Sequence, residues 1–210
     1  MPRIAINGFG RIGRNVLRAL YERGLQDELE IVAINDLGSP EINAHLLKFD
    51  TVHGTFGQTV ESDNESITVG GKKIQIIAER NPTALPWGEM NIDIVYECTG
   101  IFTDRDKAAA HLEAGAKNVL ISAPGANADL TVVYGVNHDK ITTEHKVLSN
   151  ASCTTNCLAP IAAALHDSVG IVKGLANTVH SFTNDQNITD AYHKDMYLSL
   201  IHISEPTRPY

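Results

Sequence analysis

The stretch SNASCTTNC, Ser149 to Cys157, holds the residues best suited to chemistry. It sets Cys153 among small polar residues, where an extended run, His145 to Ser149, gives way to the helix-like run LAPIAAALHDSV. A thiol at a helix N-terminus sees the unpaired N–H groups of the first turn and the positive end of the helix dipole, and both favour thiolate. Ser152, Thr154 and Thr155 add hydroxyl donors, so the same turn would hold an anion or a developing oxyanion beside the sulfur. The alternative is a small polar loop capping an ordinary helix. Against it stands GLANTVHSFTNDQ, a strand-like run that brings His180 back after one helix and one turn. That is the distance a chain needs to return beside its start, and the expected product is a Cys153/His180 pair.

These groups need a scaffold, and the N-terminus supplies its signature. Arg3 to Asn7 reads as a short apolar strand, followed by Gly8-Phe9-Gly10-Arg11-Ile12-Gly13 and the helical pattern RNVLRALYERG. A second strand, Leu29 to Asn35, ends in Asp36, roughly 20 residues beyond the last glycine, as a dinucleotide-binding unit requires. Gly8 permits the tight turn, Gly10 lets a pyrophosphate approach the backbone, and Gly13 lets helix and strand pack closely. The phosphates would rest on the N–H groups of the helix start, at Arg11 and Ile12. Asp36 would accept hydrogen bonds from the adenosine ribose and repel a 2′-phosphate, which favours NAD over NADP.

Further along, Pro40 to Lys48 reads as a short helix and FDTVHGTF as a loop. Ser66 to Gly71 reads as a hairpin arm turning at Gly70-Gly71 into KKIQIIAE, after which Arg80 is either a solvated loop arginine or, near the adenine end of the cofactor, a contact to its base or phosphates. Ile92 to Cys98 is nearly all apolar, as a strand buried on both faces should be. Residues at the carboxyl ends of such strands face the ligand crevice, so Thr99, Gly100 and Phe102 are assigned to it. Cys98 itself reads as a core residue. Asp104 to Ala114 reads as a helix stopped by Gly115, and Asn118 to Ser122 as a strand that adds Ser122 to the crevice. Leu130 to Val136 and Lys146 to Ser149 complete the strands. Alternation of strands and helices predicts an α/β, doubly wound, mostly parallel sheet covered on both faces. His45, His53, His111, His138 and His145 have no partners at fixed spacing and read as structural.

Composition excludes several classes. The 210 residues are 43% hydrophobic, enough for a core, with a formal net charge of -8. Lys and Arg are scattered, which argues against nucleic acid as a partner. No window approaches a membrane span. Three cysteines and an N-terminus running directly into MPRIAINGFG point to the reducing cytoplasm. Cys153 and Cys157 have no second ligand pair, so no metal is expected.

Taken together, INGFGRIGR, FDTVHGTF, ECTG, SNASCTTNCLAP and TNDQN make the chain resemble the phosphorylating glyceraldehyde-3-phosphate dehydrogenases from Arg3 to about Tyr197. The resemblance implies a Rossmann domain over 1–150 followed, over 151–197, by the first part of an α+β catalytic domain. It implies that the Cys153 thiolate attacks the aldehyde of glyceraldehyde 3-phosphate, that His180 takes the proton, and that NAD accepts the hydride. Inorganic phosphate then cleaves the thioester to give 1,3-bisphosphoglycerate. By the same resemblance Ser152 and Thr154 contact substrate or phosphate, Thr183 contacts the substrate phosphate, and Asn184 lies near the nicotinamide. The family assembles as homotetramers.

Ala191-Tyr192 stands where the family's NAD enzymes commonly carry Leu-Pro, and DAYH occurs in erythrose-4-phosphate dehydrogenases, so that activity stays open beside an NAD-binding module without turnover. After Tyr197 the family continues with an arginine-rich stretch, whereas this chain reads LSLIHISEPTRPY. Residues 198–210 are therefore expected to be a foreign tail resembling translated adapter sequence. The polypeptide is expected to be a truncated, inactive piece, lacking the family's later arginines, the sheet behind His180 and a C-terminal helix.

Overall fold

The computed structural model describes residues 1–180. The chain divides into two compact units, Met1–Gly170 and Ile171–Tyr210. In the first, β1 (Arg3–Asn7), α1 (Arg11–Glu22) and β2 (Glu30–Asn35) form a parallel strand-helix-strand unit in which Asn7 sits level with Asn35. Next come α2 (Pro40–Lys48), a two-stranded ribbon of β3 (Phe49–Asp50) and β4 (Gly54–Thr55), and an antiparallel meander of β5 (Val60–Ser62), β6 (Ser66–Val69) and β7 (Lys72–Ile77). The second half supplies β8 (Ile94–Glu97), the short helices α3 (Arg105–Ala108) and α4 (Ala110–Glu113), β9 (Asn118–Ile121), β10 (Leu130–Thr131), β11 (Val147–Ser149) and α5 (Cys153–Val169).

Nine strands form one sheet in the order β10-β11-β9-β8-β1-β2-β7-β6-β5. Pairing is parallel from β10 through to β7 and antiparallel only in the β5–β7 meander. The chain leaves β1 towards β2 on one side and resumes at β8 on the other, so the order of strand addition reverses between β1 and β8. This is the doubly wound α/β arrangement expected from the sequence. Both faces are buried, and the period of two sorts the residues of β1. Ile4 and Ile6 join Leu17, Leu20, Ile34 and Leu47 on one face, while Ala5 joins Ala33, Trp87, Ile92 and Val95 on the other.

Local chemistry explains the element ends. Ser39 caps α2 through Ile42 N–H at 3.3 Å with Pro40 in the first turn, and Asp104 caps α3 through Asp106 N–H at 3.0 Å. Gly70 and Gly71, at φ +55° and +82°, turn β6 into β7.

Four expectations need correction. FDTVHGTF is not a plain loop: Asp50 accepts the N–H groups of Val52 and His53 at 2.8 and 2.9 Å, closing the turn between β3 and β4. The helix expected over Asp104 to Ala114 is two short helices. It tightens at Ala109, where Leu112 N–H donates three residues back at 2.8 Å. Strand β10 ends at Thr131, because the Asn137 side chain takes the N–H of Val133 and donates to the carbonyl of Thr131. Residues 174–180 form no strand: a strand needs a paired ladder, and none forms there among the described residues.

Gly13 is the tightest contact between α1 and β1, since a Cβ built on it would lie 2.3 Å from the carbonyl oxygen of Gly8 and 3.1 Å from Ile6. Gly13→Ala is expected to lower stability by about 1–3 kcal/mol through forced backbone separation. Urea unfolding followed by circular dichroism measures this, and an unchanged midpoint would contradict the close packing.

Candidate functional site

The carboxyl ends of the parallel strands share one edge of the sheet, and a cavity of about 540 Å³ opens there. Gly8, Gly10, Asp36, Arg80, Thr99 and Phe102 line it, all six assigned from sequence. Asn7, Asn35, Leu37, Glu79, Cys98 and Ile101 also line it. Their sequence signal is faint: Asn7 and Asn35 are polar residues closing apolar strands, where an orienting role is legible only once the strands are known to be neighbours. Arg11, Ile12, Gly13, Gly100 and Ser122 do not line the cavity.

Each of those five has a definite place nonetheless. Arg11 turns its guanidinium to Asp50, so its charged end is paired outside the cavity lining. The N–H of His53, followed by that of Val52 and the Arg11 guanidinium, holds the Asp50 carboxyl at a pKa of about 2. Ile12 sits half-exposed in the first turn of α1. Gly13 lies behind the turn against Gly8, and Gly100 takes φ +72° just after Thr99. Ser122 follows β9, its N–H on the Glu97 carbonyl at 3.0 Å.

The cavity suits a dinucleotide. No described side chain caps α1, in contrast to α2, α3 and α5, so no side chain claims its first N–H groups, and its N-cap residue Gly10 lines the crevice. A Cβ on Gly10 would meet no described atom within 4 Å, which leaves space for a phosphate against the backbone. On Gly8 it would strike Thr99 at 2.8 Å, so the turn crosses directly over the end of β8. Asp36 is held by two backbone donors, Phe9 N–H and Gly38 N–H, each at 2.8 Å. Both fix the carboxylate at the crevice wall.

At the same sheet edge β11 delivers the chain to Cys153. Ser149, fully buried, receives Gly125 N–H at 2.9 Å and donates to Ala123 O at 2.8 Å, tying β11 to the loop after β9. Ala151 then adopts φ +58°, a left-handed conformation costly for a residue with a side chain, and the chain reverses into α5. Ser152 caps α5 through Thr155 N–H at 3.0 Å and pairs with the Thr155 hydroxyl at 2.7 Å. Cys153 is the first residue of α5 and is exposed. The sequence reading put Cys153 at a helix N-terminus, and the Ser152 cap starts α5 there, with Thr154, Thr155 and Cys157 inside the helix. His180 lies in the second unit, and Thr183, Asn184, Ala191 and Tyr192 lie outside the described residues.

Cys98, the other thiol at this edge, differs in kind. Burial pushes it up to about 12, against an opposing hydrogen bond from Ser122. Roughly a thousandfold less of it is thiolate than of an ordinary cysteine at neutral pH. Limiting iodoacetamide followed by peptide mapping is expected to label Cys153 first and Cys98 last. Label on Cys98 ahead of either other cysteine would overturn that ranking.

Comparison with known proteins gives two family-model matches. The first, glyceraldehyde 3-phosphate dehydrogenase, NAD binding domain, covers residues 2–105, and the second, glyceraldehyde 3-phosphate dehydrogenase, C-terminal domain, covers residues 152–199. The chain is 60% identical over 195 residues to the glyceraldehyde-3-phosphate dehydrogenase of Pseudomonas aeruginosa, covering 93% of this chain and 58% of that protein. It is 62% identical over 195 residues to the Xanthobacter flavus protein of the same name, with the same coverage. The namesake from Zymomonas mobilis is 56% identical over 195 residues, or 92% of this chain and 58% of that protein. The chain thus spans about 58% of the length of these curated relatives.

Proposed function

Because the chain belongs to the glyceraldehyde-3-phosphate dehydrogenase family, we propose that it is the cofactor domain and the start of the catalytic domain of a phosphorylating, NAD-dependent aldehyde dehydrogenase. The observation that carries this reading is the meeting of two features at one sheet edge. An uncapped helix start opens on a dinucleotide-sized crevice, and an exposed cysteine opens a second helix after β11. The division is residues 1–150 for the cofactor and residues 151–197 for the chemistry, with 198–210 set apart as a tail. Three cysteines in a chain of this composition support a cytoplasmic location.

In this reading NAD, when bound, supplies a hydride acceptor. The residues that hold it are the α1 start at Gly10, Arg11 and Ile12, the Asp36 carboxylate for the ribose hydroxyls, and Thr99 and Phe102 on the opposite lip. Cys153 Sγ bonds to the aldehyde carbon of glyceraldehyde 3-phosphate, and His180 takes the proton. The oxidised carbon stays on sulfur as a thioester, whose C–S bond breaks when inorganic phosphate attacks. Ser152 and Thr154 flank the sulfur and are assigned to substrate or phosphate, and Thr183 and Asn184 follow from the resemblance alone. The names of the relatives do not favour the erythrose-4-phosphate alternative.

Calorimetric titration is expected to show NAD bound at least about tenfold more tightly than NADP, the cost of a 2′-phosphate beside a fixed carboxylate. Asp36→Ala is expected to narrow the ratio. Equal affinities in the unaltered chain would remove Asp36 from the site. Assay of NADH formation from glyceraldehyde 3-phosphate with phosphate, and from erythrose 4-phosphate in parallel, separates the enzyme readings. NAD binding with no turnover on either aldehyde would leave a nucleotide-binding module.

A further inference from the structure

Beneath the crevice runs a chain of buried polar side chains that the proposed chemistry does not use. The indole N–H of Trp87 donates to His111 Nδ1 at 3.0 Å, and His111 Nε2 lies 3.0 Å from Glu97 Oε2. Asn7 Nδ2 donates to the same oxygen at 2.6 Å. Glu97 Oε1 accepts the Thr99 N–H at 2.8 Å and the Thr99 hydroxyl, and Thr99 Oγ1 in turn accepts Ile101 N–H at 3.0 Å. Trp87, Glu97 and His111 are 0%, 1% and 0% exposed.

The Trp87 indole sets the direction of the bond from His111 to Glu97, and Asn7 Nδ2, which shares that Glu97 oxygen, lies 3.3 Å from His111 Nε2. An indole nitrogen only donates, so His111 Nδ1 accepts and the ring proton sits on Nε2, facing Glu97. Glu97 is therefore an acceptor for four donors, none of them Lys or Arg, and a buried carboxylate so placed is costly unless all its lone pairs are used. What it gains is reach into the crevice. Thr99 and Ile101 form one lip. On the other side Asn7 Oδ1 accepts from Asn35 at 2.7 Å, and Asn35 clasps the Glu79 backbone, donating to its carbonyl at 2.8 Å and accepting its N–H at 2.9 Å. Asn7, Asn35, Glu79, Thr99 and Ile101 all line the cavity.

We propose that Glu97, aimed by Trp87 and His111, is a positioning residue for the dinucleotide crevice, fixing Thr99 on one lip and, through Asn7 and Asn35, Glu79 on the other. This rests on the crevice being the NAD site. Glu97→Gln forces a misfit: the amide NH₂ must face either the His111 Nε2–H and the Asn7 amide or the two Thr99 donors. Thr99→Val cuts one link while keeping the side-chain shape, and Thr99→Ser restores the hydroxyl.

NAD affinity is measured calorimetrically on the 210-residue chain, with folding followed by emission of Trp87, its single tryptophan. Thr99→Val and Glu97→Gln are expected to weaken NAD binding about tenfold or more. Thr99→Ser is expected to regain most of that loss, and both variants are expected to keep a single cooperative urea transition, which separates lost positioning from lost folding. In the unaltered chain, ¹⁵N chemical shifts are expected to show His111 protonated on Nε2 and not on Nδ1. Unchanged affinity in Thr99→Val, or equal losses in Thr99→Val and Thr99→Ser, overturns the proposal while leaving the NAD reading standing. A proton on Nδ1 overturns the chain of donors. An unaltered chain that binds no NAD overturns the proposal and the NAD reading together.

Discussion

Everything at the sheet edge depends on how closely α1 lies against β1. Helix α1 can start at the crevice edge, beside Gly8 and Gly10, only if its first turn follows the strand almost at once, and that requires two backbones in contact. Gly8 at φ +89° turns the chain over Thr99, and Gly13 lets the helix rest on the carbonyl oxygen of Gly8. A methyl group at either position would enter another backbone. The cost is local, but the consequence is the position of a helix dipole.

A parallel sheet makes such an edge useful more than once. Every strand that runs with β1, β11 included, discharges its chain on the same side. Asp36 after β2, Thr99 after β8, Ser122 after β9 and Cys153 after β11 are therefore delivered to one edge by topology, though they are far apart in sequence. What remains for local chemistry is aim. Asp36 is aimed by two backbone N–H groups, and Cys153 by the Ser149 clamp, the left-handed Ala151 and the Ser152 cap.

This division explains which features are legible in the sequence. Strand β1, the glycine turn, α2 and the β6–β7 hairpin follow from local rules: apolar runs, Ser-Pro at a helix start, Gly-Gly in a turn. Crevice residues at strand ends follow from topology once the sheet is recognised as parallel. The split of α3 from α4 and the end of β10 at Thr131 are not legible, because each depends on a backbone or Asn137 hydrogen bond. His111 has no partner at short spacing, and reading it as structural misses its neighbours. Trp87 and Glu97 lie 24 and 14 residues away in sequence and meet it only in the fold. The pairing of Arg11 with Asp50 is hidden for the same reason, across 39 residues.

Cys98 and Cys153 show how far the edge alone falls short of a reactive site. Both follow the carboxyl end of a parallel strand, by one residue in β8 and by four in β11. Cys98 comes so soon that it is still within the sheet: its N–H donates to Asn7 O at 2.7 Å, and the surrounding core desolvates its sulfur. Desolvation disfavours thiolate, so proximity to the crevice gives it no nucleophilic character. Cys153 is carried clear by the turn through Ala151, with water on one side and the first turn of α5 on the other. The unfavourable backbone angle at Ala151 thus has a structural result: it converts the exit of a buried strand into an exposed helix start.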